Sequence, residues 1–391
     1  MNTAPANRTL IVLGTIITQM GLGTIYTWSL FNQSLVDKYD WSLSSVSMTF
    51  SITSFFLAFA TLFAGRFQER IGIRSLTIIA GIALGLGLIG SAQVSSLTLI
   101  YLLAGVLVGF ADGTAYITTL SNLIKWFPQR KGLIAGISVG AYGTGSLLFK
   151  FINGALIAHL GASQAFFWWG VMAMGLIVVG GLLLKDAPAA PVQNAQKATQ
   201  IDYTVRQMMG TKEAWLLFII FFTACMSGLY LIGIAKDIGV HMAGLDAATA
   251  ANAVLAIAIC NTSGRLILGS LSDRVNRMRL ISLTMFLIAI SVAALVSLPL
   301  NLATFFICVG TIAFCFGGNI TIFPAIVGDF FGLRHHSKNY GLIYQGFGFG
   351  ALFGSFVAAL LGGMHITFFV IIAMALLSLV ISFFIKAPRA V

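Results

Sequence analysis

The sequence predicts an all-α membrane protein with twelve transmembrane helices in two six-helix bundles. Three observations lead there. Hydrophobic residues make up 58% of the 391-residue chain and charged residues only 8%, where a soluble domain carries about 25% charged residues. Twelve apolar stretches of about twenty residues recur along the chain, each long enough to cross a hydrocarbon core of about 30 Å as a helix. A single long polar segment at mid-chain divides them six and six.

In the first half the spans are placed at 9–33 (α1), 44–65 (α2), 73–93 (α3), 97–124 (α4), 132–159 (α5) and 164–184 (α6). In the second they fall at 213–236 (α7), 247–270 (α8), 279–299 (α9), 301–328 (α10), 339–361 (α11) and 364–385 (α12). The first bundle is therefore 1–184 and the second 213–391. Between them, 185–212 contains Pro188, Pro191 and a Gln/Asn/Ala-rich run, and reads as a cytoplasmic linker. The polar leader before α1 is short and the first span too long for a signal-peptide core, so α1 is expected to remain as a helix.

A net charge of +11 suggests nucleic acid in a soluble protein, but the positions of the cations give it another meaning. Eighteen of the twenty-two lysines and arginines fall in segments that are cytoplasmic if the N-terminus is inside. Only Lys38 and Lys236 fall outside, and Lys150 and Arg265 lie within spans. That asymmetry orients the chain with both termini cytoplasmic and leaves no case for nucleic-acid binding. Cys225, Cys260, Cys308 and Cys315 all lie in apolar spans, where free cysteine acts as a small hydrophobe, so neither disulfides nor a metal site is expected. His335 and His336, in the turn before α11, read as a solvated loop. No phosphate-binding loop or nucleophile–base pair is visible, so the pattern is neither that of an ATP-driven pump nor that of an enzyme, and no cofactor is expected.

Arg265 is the strongest single signal. It sits in the stretch Asn261 to Arg279, eight residues before the charged cluster Asp273, Arg274, Arg277 and Arg279, about 12 Å back along a helix. A guanidinium cannot shed its proton, and a cation at that depth costs roughly 2.5–3.5 kcal/mol, so it is expected to face a cavity and an anion. Its planar fork pairs both oxygens of a carboxylate. Aromatic walls would exclude water around such a pair; Tyr26 and Trp28 (α1), Tyr116 (α4), Tyr142 (α5), Phe323 (α10) and Tyr344 (α11) are the candidates, although most aromatics in a chain with thirty-two phenylalanines simply pack. Asp112, midway along α4, is the only acid expected within the membrane and a proton-coupling candidate. Lys150 in α5 could neutralise it, could serve as a second cation for substrate, or could snorkel outward.

The halves echo each other. Gly65, Glu69, Arg70, Gly72 and Arg74 follow α2; Gly269, Asp273 and Arg274 follow α8 at matching offsets, 204 residues later. Gly132, Gly136 and Gly140 in α5 pair with Gly341, Gly346 and Gly350 in α11. Duplicated halves suggest bundles that rock about a midplane site.

The stretch Gly65 to Arg74 resembles the signature loop of the major facilitator superfamily, and its partial copy after α8 has Asn276 where a glycine would stand. GTIYTWSLF (Gly23 to Phe31), KWFPQRKGLIAG (Lys125 to Gly136) and KNYGLIYQGFG (Lys338 to Gly348) together resemble the oxalate/formate antiporter family. The resemblance implies a secondary transporter of small carboxylates in a bacterial inner membrane, a monomer among lipids, working by exchange or with protons. It implies that Gly65, Glu69, Arg70, Arg74, Gly269, Asp273 and Arg274 form cytoplasmic gates, that Tyr26, Tyr116, Tyr142 and Tyr344 line the cavity, and that Arg265 is the oxalate-binding arginine. The family's second cation, a lysine in α11, falls on Phe347 here. One cation instead of two favours a monocarboxylate such as pyruvate, lactate or formate over oxalate. Two other readings are a multidrug or metabolite proton antiporter, for which α5 lacks the proline of the usual glycine motif, and a membrane sensor that binds a carboxylate without moving it.

Overall fold

The computed structural model describes residues 7–188, 202–361 and 364–388, and among them every regular element is helical. α1 spans Arg8–Gly23, with Asn7 accepting from the Thr9 amide at 3.0 Å, and tightens into 3-10 turns over Thr24–Leu30. A two-turn helix at Asn32–Tyr39 was not predicted. α2 and α3 form one helical stretch, Leu43–Ser91, broken only at Gly72 (φ 78°, ψ 160°). A residue with a Cβ reaches that conformation only with strain, so one glycine does the work expected of a loop.

α4 begins at Leu97–Ile100, passes through a π-helical stretch at Tyr101–Leu107 and continues as Val108–Trp126. α5 and α6 share the stretch Lys131–Leu183, broken at Gly161 (φ 76°, ψ 167°). α7 is Lys212–Asp237, α8 Ala247–Leu271, α9 Arg277–Ser297 and α10 Leu302–Phe331. Thr211, Asn276 and Asn301 cap α7, α9 and α10 with their side chains, as residues of that type do when they satisfy the first free amides. α11 comes in two pieces, His336–Ile343 and Gln345–Leu361, and α12 is Met364–Phe384. Among the described residues eight helical stretches are long and apolar enough to cross a membrane; two of them, of 44 and 53 residues, each cover two of the predicted spans, and the shorter α8 and α11 cover the remaining two.

Contacts divide the chain into two compact units: Met1–Pro128 with Ala141–Pro191, and Gln129–Gly140 with Val192–Val391. The opening turns of α5 thus belong to the second unit. Of the predicted linker, 189–201 lies outside the described residues; Val205–Met209 forms a short helix with a Thr204/Gln207 capping box.

In the first unit α4 lies directly on α2. Gly105, Gly109 and Gly113 recur at four-residue spacing, and a Cβ on Gly109 or Gly113 would land on the carbonyls of Thr53 or Leu57. Backbones approach this closely only where side chains vanish, the usual solution for helices that pack in lipid.

The chain leaving α6 is stitched to the same unit. Lys185 O accepts from Asn122 Nδ2 (3.0 Å) and Trp126 Nε1 (3.1 Å), and the Ala187 amide donates to Asn122 Oδ1 (2.9 Å). Asp186 accepts from the Ile73 amide (3.0 and 3.2 Å) and from Gln68 Nε2 (3.0 Å), which makes it the cap of α3 just past Gly72. Asp186→Ala is expected to lower stability by about 1–2 kcal/mol, with Asp186→Asn losing less because one acceptor oxygen survives. Thermal unfolding in detergent measures both.

In the second unit the expected solvated loop at His336 does not form. His336 is fully buried, its Nε2 2.7 Å from the Pro324 carbonyl and its ring stacked on Tyr340. The turn folds back on α10 because Gly332 adopts φ 81°, placing its Cα side against Asp202, whose Oδ1 takes the Arg334 amide at 3.1 Å.

Candidate functional site

The chemistry in the first unit gathers around Asp112. This residue is 0% exposed on α4, and its Oδ1 accepts from the Tyr142 hydroxyl at 3.3 Å. Among the described residues Oδ2 is buried without a hydrogen-bond partner. Tyr142 stands edge-on to Tyr26 (5.3 Å between ring centres) and to Tyr116 (5.5 Å), and Tyr26 in turn meets Phe50 (6.0 Å). Edge-to-face pairs of this kind hold rings at fixed angles. Three predicted cavity tyrosines from α1, α4 and α5 are therefore one cluster, with the acid beneath it.

That cluster rests on close backbone approach. A Cβ on Gly23 would fall on the Tyr142 carbonyl, and one on Gly145 on the Met20 carbonyl, so α1 and α5 touch where the rings meet. Gln19, which sequence reading passed over, ties α1 to α4 by donating to Thr119 Oγ1 (3.0 Å) and to the Tyr116 carbonyl (3.2 Å). Its signal was available: a lone glutamine on a helix face otherwise built of glycine, threonine and aliphatic residues.

Trp28 stands elsewhere. Its ring packs on Phe166 at 5.5 Å, next to the Phe31–Phe166–Trp169 stack, and not among the tyrosines. Lys150 is half-buried further along α5, and among the described residues neither it nor Asp112 forms an ion pair. The alternative in which Lys150 neutralises Asp112 is not the arrangement found.

In the second unit Arg265 is only 4% exposed. Its Nη1 donates to the Val139 carbonyl at 2.8 Å, and among the described residues its buried Nε has no partner and it forms no ion pair. The backbone behind it is firmly placed. Thr321 Oγ1 donates to the Arg265 carbonyl at 3.2 Å, and a Cβ on Gly264 would strike the Phe314 carbonyl of α10. On the other side the opening turns of α5 pack closely: a Cβ on Gly136 would lie 2.8 Å from the Arg265 carbonyl, and one on Gly132 would meet Gly269 and Ser272. Gly346 and Gly350, paired with this set by sequence, meet Phe222, Cys225 and Met226 of α7 instead, so the glycine echo does not carry one role twice.

Phe323 and Tyr344 belong to a second aromatic column. Phe323 is fully buried against Phe221 (4.6 Å), which also meets Tyr344 (5.9 Å); Tyr344 stacks on Phe347 at 5.1 Å.

The predicted gate loops take different forms in the two units. Asp273 accepts from the Gly132 and Leu133 amides, both at 2.8 Å, and so caps α5. Arg277 Nη2 holds Asp273 at 2.6 Å, Arg277 Nη1 also pairs with Asp329, and Lys131 Nζ reaches Asp329 at 2.7 Å. Lys131, Arg277 and Asp329 were not foreseen as partners. Arg274 is exposed, as are Glu69, Arg70 and Arg74, and Gly65 is buried. Arg74 Nε donates to Leu184 O at 3.3 Å, and the acid that meets α3 is Asp186.

Comparison with known proteins bears on this geometry. The Major Facilitator Superfamily profile matches residues 11–318 and 229–391. The Escherichia coli (strain K12) protein named "Uncharacterized MFS-type transporter YhjX" is 48% identical over 345 residues, 88% of this chain and 86% of that one. The "Oxalate:formate antiporter" of Oxalobacter formigenes is 25% identical over 350 residues, 89% of this chain and 83% of its own. Among solved structures, the transporter FucP in the outward conformation shares the fold with a TM-score of 0.74 at 12% identity, over 98% of this chain and 99% of that one. The chain therefore belongs to the Major Facilitator Superfamily: it is a multi-pass membrane transporter of small molecules and not an enzyme.

Proposed function

We propose that the protein carries small organic monoanions such as pyruvate, lactate or formate across a bacterial inner membrane by alternating access, as a monomer with both termini in the cytoplasm. The observation that carries this reading is Arg265: a permanent cation, 4% exposed, without an acid partner among the described residues and with its Nε unsatisfied. A buried charge in that condition is stabilised by an arriving anion. In the unit that holds Arg265, the aromatic column of Phe221, Phe323, Tyr344 and Phe347 supplies water-excluding surface and a hydroxyl, which favour compact ligands. A relative named for oxalate and formate supports the cargo class. The phenylalanine at 347 supports one negative charge over two.

Purified protein in liposomes preloaded with unlabelled pyruvate is expected to take up labelled pyruvate or formate by counterflow, with oxalate a poor substrate. A lipophilic cation moved in place of the anions would favour the drug antiporter. Carboxylates that raise the melting temperature without any flux would favour the sensor.

A further inference from the structure

We infer that Asn261 reads the oxygen on C2 of the cargo, which makes 2-oxo and 2-hydroxy monocarboxylates preferred over their unsubstituted counterparts. This rests on the carrier reading above, with Arg265 holding the carboxylate, and adds the group that recognises the rest of the molecule.

Asn261 and Arg265 are four residues apart on α8, so their side chains lie one above the other on one helix face. Side chains on a helix lean toward its N-terminus, which carries the Arg265 guanidinium over the turn that bears Asn261. The facing turns of α5 register that lean. They run antiparallel to α8: Gly132 meets Gly269 and Ser272, and Gly136 meets the Arg265 carbonyl. The guanidinium itself reaches Val139, three residues further along in the direction of Asn261, about 4.5 Å of helix rise. On its other flank Asn261 Nδ2 donates to the Ala313 carbonyl of α10 at 3.3 Å, and a Cβ on Gly317 would strike the Asn261 carbonyl. All of these residues belong to the second unit.

What these two buried side chains leave unused is a matched set. Val139 takes Nη1, so the Nε and Nη2 edge, which makes no hydrogen bond among the described residues, is the fork left for a carboxylate. The Ala313 carbonyl fixes which end of the Asn261 amide is nitrogen and takes one N–H. Among the described residues the second N–H and Oδ1 have no partner, although Asn261 is only 7% exposed. Asn319, another buried amide of this unit, has both ends met, by Thr284 and by the Cys315 carbonyl. A free donor and a free acceptor one turn from the fork suit a C2 oxygen in either oxidation state: the N–H donates to a 2-oxo group, and Oδ1 accepts from a 2-hydroxyl. Propionate leaves both atoms unmet, and formate has no C2 to present. A site built to hydrogen-bond a substrate oxygen discriminates against the analogue lacking it, because its own buried polar groups are then left unpaired.

The test uses the full-length protein in liposomes, with counterflow of labelled pyruvate or labelled formate measured against unlabelled competitors. Pyruvate and lactate are expected to compete at least about tenfold more strongly than propionate, which keeps the three carbons and the charge and lacks only the oxygen. In Asn261→Leu, similar in size and apolar, that preference is expected to shrink to about twofold or less, with pyruvate and lactate weakened and propionate holding or improving. Asn261→Gln, which keeps an amide, is expected to restore part of the preference. Formate counterflow close to the parent's shows that a variant is folded and active; should Asn261→Leu move no formate, the smaller Asn261→Ala carries the same comparison. The inference is overturned by a parent in which propionate competes as well as pyruvate. A formate-active variant with the preference unchanged, or with all competitors weakened alike, overturns it equally. No counterflow of either label in the parent would instead defeat the carrier reading, and this inference with it.

Discussion

Arg265→Met is expected to reduce carboxylate counterflow at least about a hundredfold while leaving the melting temperature unchanged or raising it. Removing one partner of a buried, hydrogen-bonded charge pair costs about 3 kcal/mol or more, which is roughly a hundredfold in binding. The resting protein loses little. Arg265 donates one hydrogen bond to the Val139 carbonyl, and its Nε is unsatisfied. Replacing an uncompensated buried cation by an apolar side chain of similar length removes a desolvation penalty. Arg265→Lys keeps the charge without the planar fork and is expected to fall between, about tenfold below the parent. Flux assays and thermal unfolding on the same preparations distinguish a ligand-binding arginine from a structural one. A Met variant that unfolds early yet transports normally per folded molecule would identify a structural arginine.

The second large effect is expected at Gly113. A Cβ there would overlap the Leu57 carbonyl, a backbone atom that no rotamer change can move aside. α2 and α4 must separate to admit a side chain, and with them moves the helix that bears Asp112 and Tyr116. Gly113→Val is expected to destabilise the fold by about 3 kcal/mol or more, with Gly113→Ala somewhat milder. Gly175→Ala is the control: nothing lies within 4 Å of a Cβ at that position, so its effect should stay within about 0.5 kcal/mol. The yield of monodisperse protein in detergent and its melting temperature read both outcomes.

Much of this was legible in the sequence because membranes enforce simple rules. Twelve apolar runs must become helices, since backbone amides in hydrocarbon have no other partner. A cation such as Arg265 stands out against such a background. The short turns were harder to see. Among 42 glycines, Gly72 stood out as part of the loop motif after α2, but nothing in the sequence marks Gly161 as one of the four that adopt positive φ among the described residues. Aromatic placement was partly legible: Tyr26, Tyr116 and Tyr142 meet, but Trp28, two positions from Tyr26, points to another side of its helical turn, as residues at that spacing do. The partners of Lys131 and Asp329 were hidden by distance, 198 residues apart along the chain. Each alone reads as a topology signal.

The discontinuous second unit bears on biogenesis. Asp273 binds amides made 140 and 141 residues before it, so the start of α5 leaves the ribosome long before the groove that will receive it. A gene split at mid-chain would yield a late fragment whose Asp273 has no α5 amides to accept from and whose Gly269 face is left open. That fragment is expected to need its early counterpart in the same membrane to mature, and complementation by co-expressed halves should succeed only when the early half includes Gln129–Gly140.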